Sequence, residues 1–299
     1  MIPQVSVIIP VYNGAETIVD QLDALREAQR HSPPSEILVI DNRSTDDLVD
    51  VVARWAERNR VAVRLIAADE RAGEPYARNV GLAHARGEYV AFCDADDKVG
   101  PMWLASLCDM LQMSSYATGP IDMDAMNPGW VANVRGTSVT GRSVMLDAVP
   151  YAHGCNMGFR RLALEALGGF DERYTAGCDL DIAIRMWEAG IDLHYDERAV
   201  ISYRLRRSVR ATYRQGKFYG RYRVAILSRL AAAGLRSPDR ALRRFLWLVK
   251  SFPAAIFHRA IRARWSWVAG QWVGERMGSI DRSIIDLTDS ADHHIGGIR

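Results

Sequence analysis

The sequence predicts an α/β fold in which a mainly parallel sheet is flanked by helices. Short β-branched runs of strand length alternate with stretches of helical period in the N-terminal third of the chain, a pattern typical of βαβ units. One of these runs leads directly into three carboxylates, Asp94, Asp96 and Asp97. Because open α/β sheets bind ligands outside the carboxyl ends of their strands, we expect a binding site at this point of the chain.

The first strand is predicted over residues 5–12. The run VSVIIPVY is apolar at nearly every position, as expected of a strand buried on both faces. Pro10 ends the run, and Asn13-Gly14 turns the chain. Residues 16–29 then have the apolar spacing of a helix, carried by Ile18, Leu22 and Leu25.

The second strand, residues 37–40, ends at Asp41-Asn42. Ser44 or Thr45 is expected to cap the next helix, since short hydroxyl side chains satisfy free N–H groups at a helix start. Aspartates directly after them favour the first turn of that helix.

The remaining elements of the first half follow in the same alternation. A third strand is expected over 61–66, a helix over 77–85 with Gly87 ending it, a strand over 88–93 and a helix over 102–111. Residues 114–150 contain turn signals and are expected to form short strands.

Composition narrows the class of protein. The 299 residues are nearly half hydrophobic and a quarter charged, with a net charge of +2, which is ordinary for a globular protein. The four cysteines form no CxxC pair, so a zinc site is not expected, and their scatter favours a reducing compartment. Met1 leads directly into a strand, so no signal peptide is expected, and no window approaches the roughly 20 apolar residues of a membrane span.

The turn after the first strand excludes two classes of nucleotide enzyme. It reads PVYNG, without the glycine pair that a dinucleotide requires, and no Walker lysine loop is present. Three carboxylates at one strand end repel each other unless a cation lies between them. A hard divalent cation that also binds a phosphate fits this cluster; the alternative is a solvated acidic turn that caps the following helix.

Four segments carry a family resemblance. They are SVIIPVYNG at 6–14, VIDNRSTD at 39–46, ARNVGLAHARGEYVAFCDADD at 77–97 and GFRRLALEALGGFDERY at 158–174. Together they resemble a family-2 glycosyltransferase over roughly residues 4–205. The resemblance implies a GT-A fold, Rossmann-like with a mainly parallel mixed sheet, and transfer of a sugar from a nucleoside-diphosphate sugar with inversion.

The resemblance implies a donor site. Tyr12 matches the position whose ring packs on the donor base, although it also fits a core aromatic at a strand end, and Pro10 is assigned to donor binding beside it. Asp41 matches the carboxylate that accepts a hydrogen bond from the base, or it caps the turn. That carboxylate favours UDP, with dTDP or GDP as the other donors. Arg71 and Arg78 reach the base or the diphosphate, or Arg78 pairs with the aspartates.

The resemblance also implies a metal site and a base. Asp94 and Asp96 match the DxD pair that holds Mn²⁺ or Mg²⁺ on the diphosphate, and Asp97 supports them or caps a helix. Asp179 in GCDLDIAIR at 177–185 matches the general base, or else caps a helix. The resemblance assigns Asn156, Cys178 and Asp181 to acceptor or supporting positions, with structure favoured for Asp181.

Two positions depart from the family pattern. Cys178 stands where a glutamate is common, and Tyr203 stands where many members have a histidine that completes the metal site. His153 and His194 are the candidate replacements. These departures support one alternative, a non-catalytic protein that keeps the fold to bind a nucleotide or to scaffold a membrane complex.

The C-terminal part of the chain is basic and aromatic. Between 204 and 264 it has seventeen arginines and lysines and a single acid, Asp239, and ten aromatic residues are interspersed between 218 and 272. We expect helices there that lie on an anionic membrane surface, in preference to nucleic acid. A helical packing or homo-oligomer interface is an almost equal alternative.

These observations divide the chain into three parts. Residues 1–118 are the nucleotide-sugar half of the fold, 119–205 the acceptor half and 206–299 a basic helical extension. The acceptor is expected to be a glycan or a glycolipid in envelope synthesis. The enzyme is expected in the cytoplasm, peripheral to the inner face of the membrane.

Overall fold

The computed structural model describes residues 3–132, 134, 138–236, 241–281, 283–284 and 286–287. The chain forms two compact units. The first comprises Met1–Ala125, Ser138–Met145 and Val149–Arg204, and the second comprises Met126–Thr137, Leu146–Ala148 and Leu205–Arg299.

The first unit is built on strands and short helices. Its strands are β1 (Val5–Val11), β2 (Ser35–Asp41), β3 (Val63–Ala67), β4 (Tyr89–Phe92), β5 (Lys98–Val99), β6 (Tyr116–Thr118), β7 (Ile121–Asp122), β8 (Ser143–Met145), β9 (Val149–Tyr151), β10 (Met157–Arg160), β11 (Leu193–Tyr195) and β12 (Ile201–Ser202). The helices of the chain are α1 (Ile18–Ala28), α2 (Leu48–Asn59), α3 (Glu74–His84), α4 (Trp103–Leu111), α5 (Gly129–Ala132), α6 (Arg161–Ala166), α7 (Cys178–Glu188), α8 (Val209–Ala232), α9 (Ala241–Phe257) and α10 (Arg259–Gly278).

The central sheet has the strand order β11-β6-β10-β4-β1-β2-β3. Strand β1 pairs in parallel with β2 and β4, and β2 with β3, whereas β10 is antiparallel to its neighbours β4 and β6. The carboxyl ends of β1, β2 and β4 therefore meet at one edge of the sheet. Strands β5, β12 and β7 form a small second sheet, and β8 and β9 form a hairpin. The predicted mainly parallel mixed sheet with flanking helices is confirmed.

The predicted cap of α2 is wrong. The helix begins at Leu48 and no side chain bonds its N-terminus. Ser44 accepts a hydrogen bond from the backbone N–H of Asn13 at 3.0 Å, and Thr45 donates its N–H to the Asn13 side chain at 2.8 Å. Because Asn13 lies at φ 52°, in a left-handed conformation that needs local hydrogen bonds, these residues stabilise the turn after β1 instead.

Gly87 also has a different role from the one predicted. Helix α3 ends at His84, and the Gly87 N–H donates to the hydroxyl of Ser6 at 2.9 Å. A Cβ at this position would lie 2.7 Å from the backbone nitrogen of Ser6. Glycine is therefore required for the approach to β1 and not for helix termination.

The second unit is mainly helical. Helices α8 and α10 approach closely through Gly216 and Gly220 on one helix and Gly270, Gly274 and Gly278 on the other. A Cβ on Gly216, for example, would lie 2.5 Å from the carbonyl oxygen of Trp267. In the described part of the chain, no helix combines the length and the apolar composition needed to cross a bilayer.

Candidate active site

The acidic turn after β4 is held against α1 by a buried glutamine. The amide of Gln21 donates to the carbonyl oxygen of Asp94 at 3.0 Å, and its oxygen accepts the N–H of Val99 at 3.0 Å. Gln21 is fully buried, so both ends of the turn are tied to one rigid helix. The turn is therefore preorganised rather than a solvated loop.

Arg204 closes the other side of this turn. Its N–H donates to Asp97 at 2.7 Å, and its guanidinium donates to the carbonyl oxygen of Asp96 at 2.7 Å and pairs with Asp20 at 2.9 Å. The prediction counted Arg204 with the basic C-terminal part, and the structure corrects this, since Arg204 belongs to the acidic turn.

Asp97 is a fully buried carboxylate with an unused oxygen. One oxygen accepts the bond from Arg204, whereas Oδ2 is buried without a hydrogen-bond partner. Burial, Asp94 and Asp96 hold the pKa of Asp97 well above its usual range. A buried orphan oxygen of this kind is costly, and it is a direct indication that the site is built for a further positive group.

Arg78 on α3 lies at the centre of the site and is fully buried. It forms an ion pair with Glu74, lies 3.6 Å from an oxygen of Asp94 and donates to the carbonyl oxygen of Gly154 at 2.9 Å. Burial by itself would lower the pKa of Arg78, but the surrounding acidic groups outweigh it and raise that pKa. This geometry is the structural pairing that the sequence left open for Arg78, and contact with a diphosphate stays a prediction.

The site has more acidic groups than one guanidinium can neutralise, and burial together with this excess raises the pKa values of Asp94 and Asp97. Burial and the neighbouring Glu74 raise the pKa of Asp94 to about 8, although Arg78 opposes the shift. Two like charges about 4 Å apart repel each other by roughly 4 kcal/mol at an effective dielectric constant of about 20. A single guanidinium does not offset this cluster of carboxylates, so a cation bound here would stabilise it.

The residues of the turn fit a hard divalent cation. Carboxylate oxygens of Asp94 and Asp97 and the sulfur of Cys155 lie within 4.8 Å of one another. The two carboxylates are the oxygen donors that Mg²⁺ and Mn²⁺ prefer, whereas a thiol suits softer metals. The structure thus groups Asp94 with Asp97, and the assignment of Asp96 as a metal ligand stays a prediction.

The ends of β1 and β2 carry the predicted base-binding residues. Pro10 pairs with Ile40 in the parallel ladder. The ring of Tyr12 is 66% exposed, so it is available for stacking and is not the core aromatic of the alternative. One oxygen of Asp41, Oδ1, accepts the N–H of Ser44 at 2.9 Å. Contact of the second oxygen with a base stays a prediction.

The loop that carries Arg71 is held by an asparagine. Asn42 is buried, donates to the carbonyl oxygen of Arg71 at 2.7 Å and accepts the N–H of Gly73 at 2.8 Å. The Arg71 side chain itself is 68% exposed and pairs with Glu172 at 2.8 Å. Arg71 is therefore exposed and Arg78 is buried, although the family resemblance assigns both to the base or the diphosphate.

Asp179 lies in the first turn of α7 and is oriented by a backbone bond. Its Oδ2 accepts the N–H of Gly154 at 3.0 Å, and Arg78 donates to the carbonyl oxygen of the same glycine. The peptide groups of Gly154 thus connect Arg78, beside Asp94, with Asp179. The predicted donor-side and acceptor-side aspartates are thus linked through one ion pair, between Asp94 and Arg78, and two hydrogen bonds at Gly154.

Cys178 is buried beside Arg78. The guanidinium donates to its sulfur at 3.1 Å. Burial raises the pKa of the Cys178 thiol, although Arg78 opposes the shift. Cys178 therefore contributes a neutral acceptor where a glutamate would contribute a charge.

Asp181 and Asn156 are engaged inside the protein. Asp181 is fully buried and pairs with Arg185 at 2.8 Å. Asn156 donates to the carbonyl oxygen of Ala199 at 2.9 Å and accepts the indole N–H of Trp103 at 2.8 Å. Both have the geometry of supporting residues, and contact of either with an acceptor stays a prediction.

The histidines proposed as substitutes for the missing ligand lie outside the acidic cluster. His153 contacts the hydroxyl of Ser143 at 3.0 Å, and His194 belongs to the edge strand β11. Tyr203 donates its N–H to the carbonyl oxygen of Asp122 at 2.8 Å.

Sequence reasoning missed several residues that build the site. These are Asn13, Gln21, Asn42, Glu74, Gly154, Cys155 and Arg204. Only Glu74 has a local signal, because it stands four residues before Arg78 on one helix, the spacing of an intrahelical ion pair.

Two family comparisons match the chain. The family described as Glycosyl transferase family 2 matches residues 6–168, more than half of the chain. The family described as Glycosyl transferase family group 2 matches residues 89–273. These matches confirm the resemblance inferred from the motifs and the prediction that the chain is a glycosyltransferase.

Curated relatives agree with the family matches. Glycosyltransferase AglE of Haloferax volcanii is 28% identical over 258 residues, which cover 84% of this chain and 82% of AglE. The uncharacterized glycosyltransferase YibD of Escherichia coli is 34% identical over 144 residues, which cover 48% of this chain and 39% of YibD. The chain thus spans much less than two thirds of several relatives that it matches.

Solved structures show the same fold. The mannosyltransferase PcManGT from Pyrobaculum calidifontis, in complex with GDP-Man and Mn²⁺, has a TM-score of 0.59 at 23% identity and covers 99% of this chain and 81% of its own. Staphylococcus aureus TarS 1-349, in complex with UDP-GlcNAc, has a TM-score of 0.53 at 17% identity, and the match covers 98% of this chain and 91% of the TarS chain. The predicted GT-A fold is confirmed.

Proposed function

The chain belongs to glycosyl transferase family 2, and on that premise we propose that it transfers a sugar from a nucleoside-diphosphate sugar to a hydroxyl group. The observation that carries the proposal is the chain of contacts from Asp94 to Asp179, in which Asp94 forms an ion pair with Arg78 at 3.6 Å and hydrogen bonds to the peptide groups of Gly154 connect Arg78 with Asp179. A donor-side carboxylate and a base are then held in one rigid arrangement. Such positioning is a large part of catalysis in group transfer.

The proposed reaction is one displacement with inversion. The acceptor oxygen forms a bond to the anomeric carbon as the bond from that carbon to the diphosphate breaks, and the diphosphate leaves with the electron pair. Asp179 accepts the proton of the acceptor hydroxyl, and its Oδ2 is oriented for this by the Gly154 N–H. A bound Mn²⁺ or Mg²⁺, held by Asp94 with Asp97 or Asp96, would neutralise the leaving diphosphate.

The donor is proposed to be UDP-linked, with dTDP or GDP as the other bases. Asp41 has one oxygen bonded to Ser44 and a second oxygen that can accept the N–H of a pyrimidine. The exposed ring of Tyr12 supplies a stacking surface for that base. Structural neighbours named with UDP-GlcNAc and with GDP-Man and Mn²⁺ support a nucleotide sugar without choosing the base.

The acceptor is proposed to be a glycan or a lipid-linked glycan of the cell envelope, glycosylated on the cytoplasmic side. Four buried cysteines that are all free thiols support a reducing compartment. The relative TuaG of Bacillus subtilis is named a putative teichuronic acid biosynthesis glycosyltransferase, which supports an envelope glycan.

Calorimetric titration tests the donor site. UDP, GDP and dTDP are each added with and without Mn²⁺ to the wild type, Asp96→Asn, Asp97→Asn and a surface control, Asp50→Asn. We expect the wild type and the control to bind one nucleotide in a metal-dependent way. Asp96→Asn or Asp97→Asn, whichever removes a metal ligand, should weaken that binding by about 10- to 100-fold. Absence of nucleotide binding in the wild type would overturn the proposal.

A further variant, Asp179→Asn, tests the predicted base. Asp179→Asn is expected to keep nucleotide binding and to lose transfer by about 10²- to 10⁴-fold, because an amide cannot accept the hydroxyl proton. Sugar transfer from UDP-, dTDP- and GDP-linked donors is measured for Asp179→Asn and for the wild type. Unchanged transfer in Asp179→Asn would remove Asp179 from the mechanism.

A further inference from the structure

The outer face of α9 is apolar and exposed. Seven large side chains on this face are between 44% and 81% exposed: Leu242, Phe245, Leu246, Val249, Phe252, Ile256 and Phe257. Their spacing of three and four residues places them on one stripe along the helix. A contiguous exposed stripe of this size marks an interaction surface.

The inner face of α9 is fixed to α10. The indole N–H of Trp265 donates to the carbonyl oxygen of Leu248 at 2.9 Å, and the rings of Phe245 and Trp272 stack with centroids 5.7 Å apart. Leu248 and Ala255 are buried on this side. Phe245 and Phe252 therefore lie at the edge of the stripe, where they contact rings of α10. The other five side chains of the stripe are 46% to 81% exposed on a packed support.

Cations border the stripe. Arg243 and Lys250 are exposed and stand seven residues apart, on the same side of the helix. A cavity of about 300 Å³ lies next to them, lined by Arg243, Arg244, Trp247, Arg264, Val268 and Gln271. Arg244 is paired with Glu275, whereas the exposed Arg243 and Arg264 form a site for an anion such as a phosphate.

The charge of the helices decides which partner the stripe fits. Helices α8, α9 and α10 carry six, three and four arginines or lysines, against one carboxylate, Glu275. That carboxylate is already paired with Arg223 and Arg244. A second copy of this chain would bring two cationic borders together, whereas an anionic bilayer offers an apolar layer beneath a layer of negative charge.

We propose that the α9 stripe and the adjacent arginine cavity dock the protein on an anionic phospholipid bilayer. Helix α9 lies in the interface plane with its apolar stripe among the acyl chains, and the arginine cavity receives a lipid phosphate. The proposal goes beyond sugar transfer and rests on the second unit alone. It therefore stands or fails independently of nucleotide binding.

Co-sedimentation of the full chain with vesicles tests the proposal. Vesicles of phosphatidylcholine, with and without phosphatidylglycerol, are mixed with the wild type, Val249→Asp and the double variant Arg243→Gln/Arg264→Gln. Val49→Asp is the matched control, because Val49 on α2 is 50% exposed and Val249 is 57% exposed. Nucleotide binding by every variant verifies that the first unit is intact.

We expect the wild type and Val49→Asp to bind vesicles that contain phosphatidylglycerol, less tightly as salt increases. Val249→Asp should lose about tenfold or more in affinity, because it places a charge in the apolar layer. The double variant should lose about fivefold for each arginine removed. Equal binding to both vesicle types, binding by Val249→Asp at the wild-type level, or a concentration-dependent dimer that Val249→Asp abolishes without vesicle binding would each overturn the proposal.

Discussion

The charged residues of the candidate site in the first unit and those of the helices in the second unit lie in different settings. In the first unit Arg78 and Asp97 are buried among other ionised groups, and each contact is specified by hydrogen bonds. In the second unit most arginines are at least partly exposed, and a single carboxylate serves three helices. Charge in the first unit thus builds a site, whereas charge in the second covers a surface.

This difference predicts different sensitivity to substitution. Removing one partner of a buried ion pair leaves the other charge without water or a counter-ion, which costs several kcal/mol. An exposed ion pair is solvated in both states and contributes little. The burial of a charged residue, more than the sequence motif in which it stands, should therefore decide how much its replacement lowers the free energy of unfolding.

Arg78 and Arg71 provide the strongest test of the comparison. Arg78→Met is expected to lower the free energy of unfolding by about 3–5 kcal/mol, because it removes a fully buried guanidinium from the partly buried Asp94 and from the carbonyl oxygen of Gly154. Arg71→Ala, which removes an exposed partner of Glu172, should cost about 1 kcal/mol or less. Urea unfolding of both variants measures the difference, and equal costs would contradict the comparison.

The glycine contact between α8 and α10 sharpens the comparison for the second unit, where close backbone packing joins these two helices beside the ion pairs of Glu275. A Cβ at Gly274 would collide with the carbonyl oxygen of Lys217. Gly274→Ala is therefore expected to separate the helices and to cost about 1–3 kcal/mol.

Gly129→Ala is the matched control for that variant, since nothing lies within 4 Å of a Cβ at Gly129. Thermal unfolding and protease susceptibility of the C-terminal helices measure both proteins. If Gly274→Ala is as stable as Gly129→Ala, the helices do not pack as closely as the structure shows.

Much of the first unit was predictable because its signals are local. A parallel strand buried on both faces reads as a continuous apolar run, so β1, β2 and β4 were located within about two residues. The candidate residues in the DxD segment and in α7 could be named because they lie in ordered motifs, and their roles stay predictions. Short strands between 114 and 150 were expected and are present, whereas helix α5 was not expected.

The residues that were missed depend on contacts between distant parts of the chain. Gln21 bonds a residue 73 positions away, and Arg204 one 108 positions away. Neither the hydrophobic periodicity of the sequence nor a helix-capping motif indicates such a long-range contact. For the same reason the sequence indicated amphipathic helices in the second unit without showing which face of α9 stays exposed.

A solvent-accessible ion pair within the first unit tests whether burial, and not location in the first unit, makes a charged residue costly to replace. Arg198 donates to Asp196 at 2.7 Å, with the Arg198 side chain 52% exposed and that of Asp196 22% exposed. Hydrogen bonds from Arg198 lower the pKa of Asp196 to about 2, against partial burial. Because this folded-state pKa is below the unfolded value of about 4, the stabilisation is present above that value and is lost as the pH falls toward 2.

Asp196→Asn is therefore expected to cost at most about 1 kcal/mol near neutral pH, since solvent screens the half-exposed arginine. The difference between variant and wild type should shrink as the pH falls from about 4 to about 2. Urea unfolding at a series of pH values measures it, with the surface variant Asp50→Asn as the reference. A cost near that of Arg78→Met would show that the first unit is sensitive to any lost charge, and exposure would then no longer explain the contrast between Arg71 and Arg78.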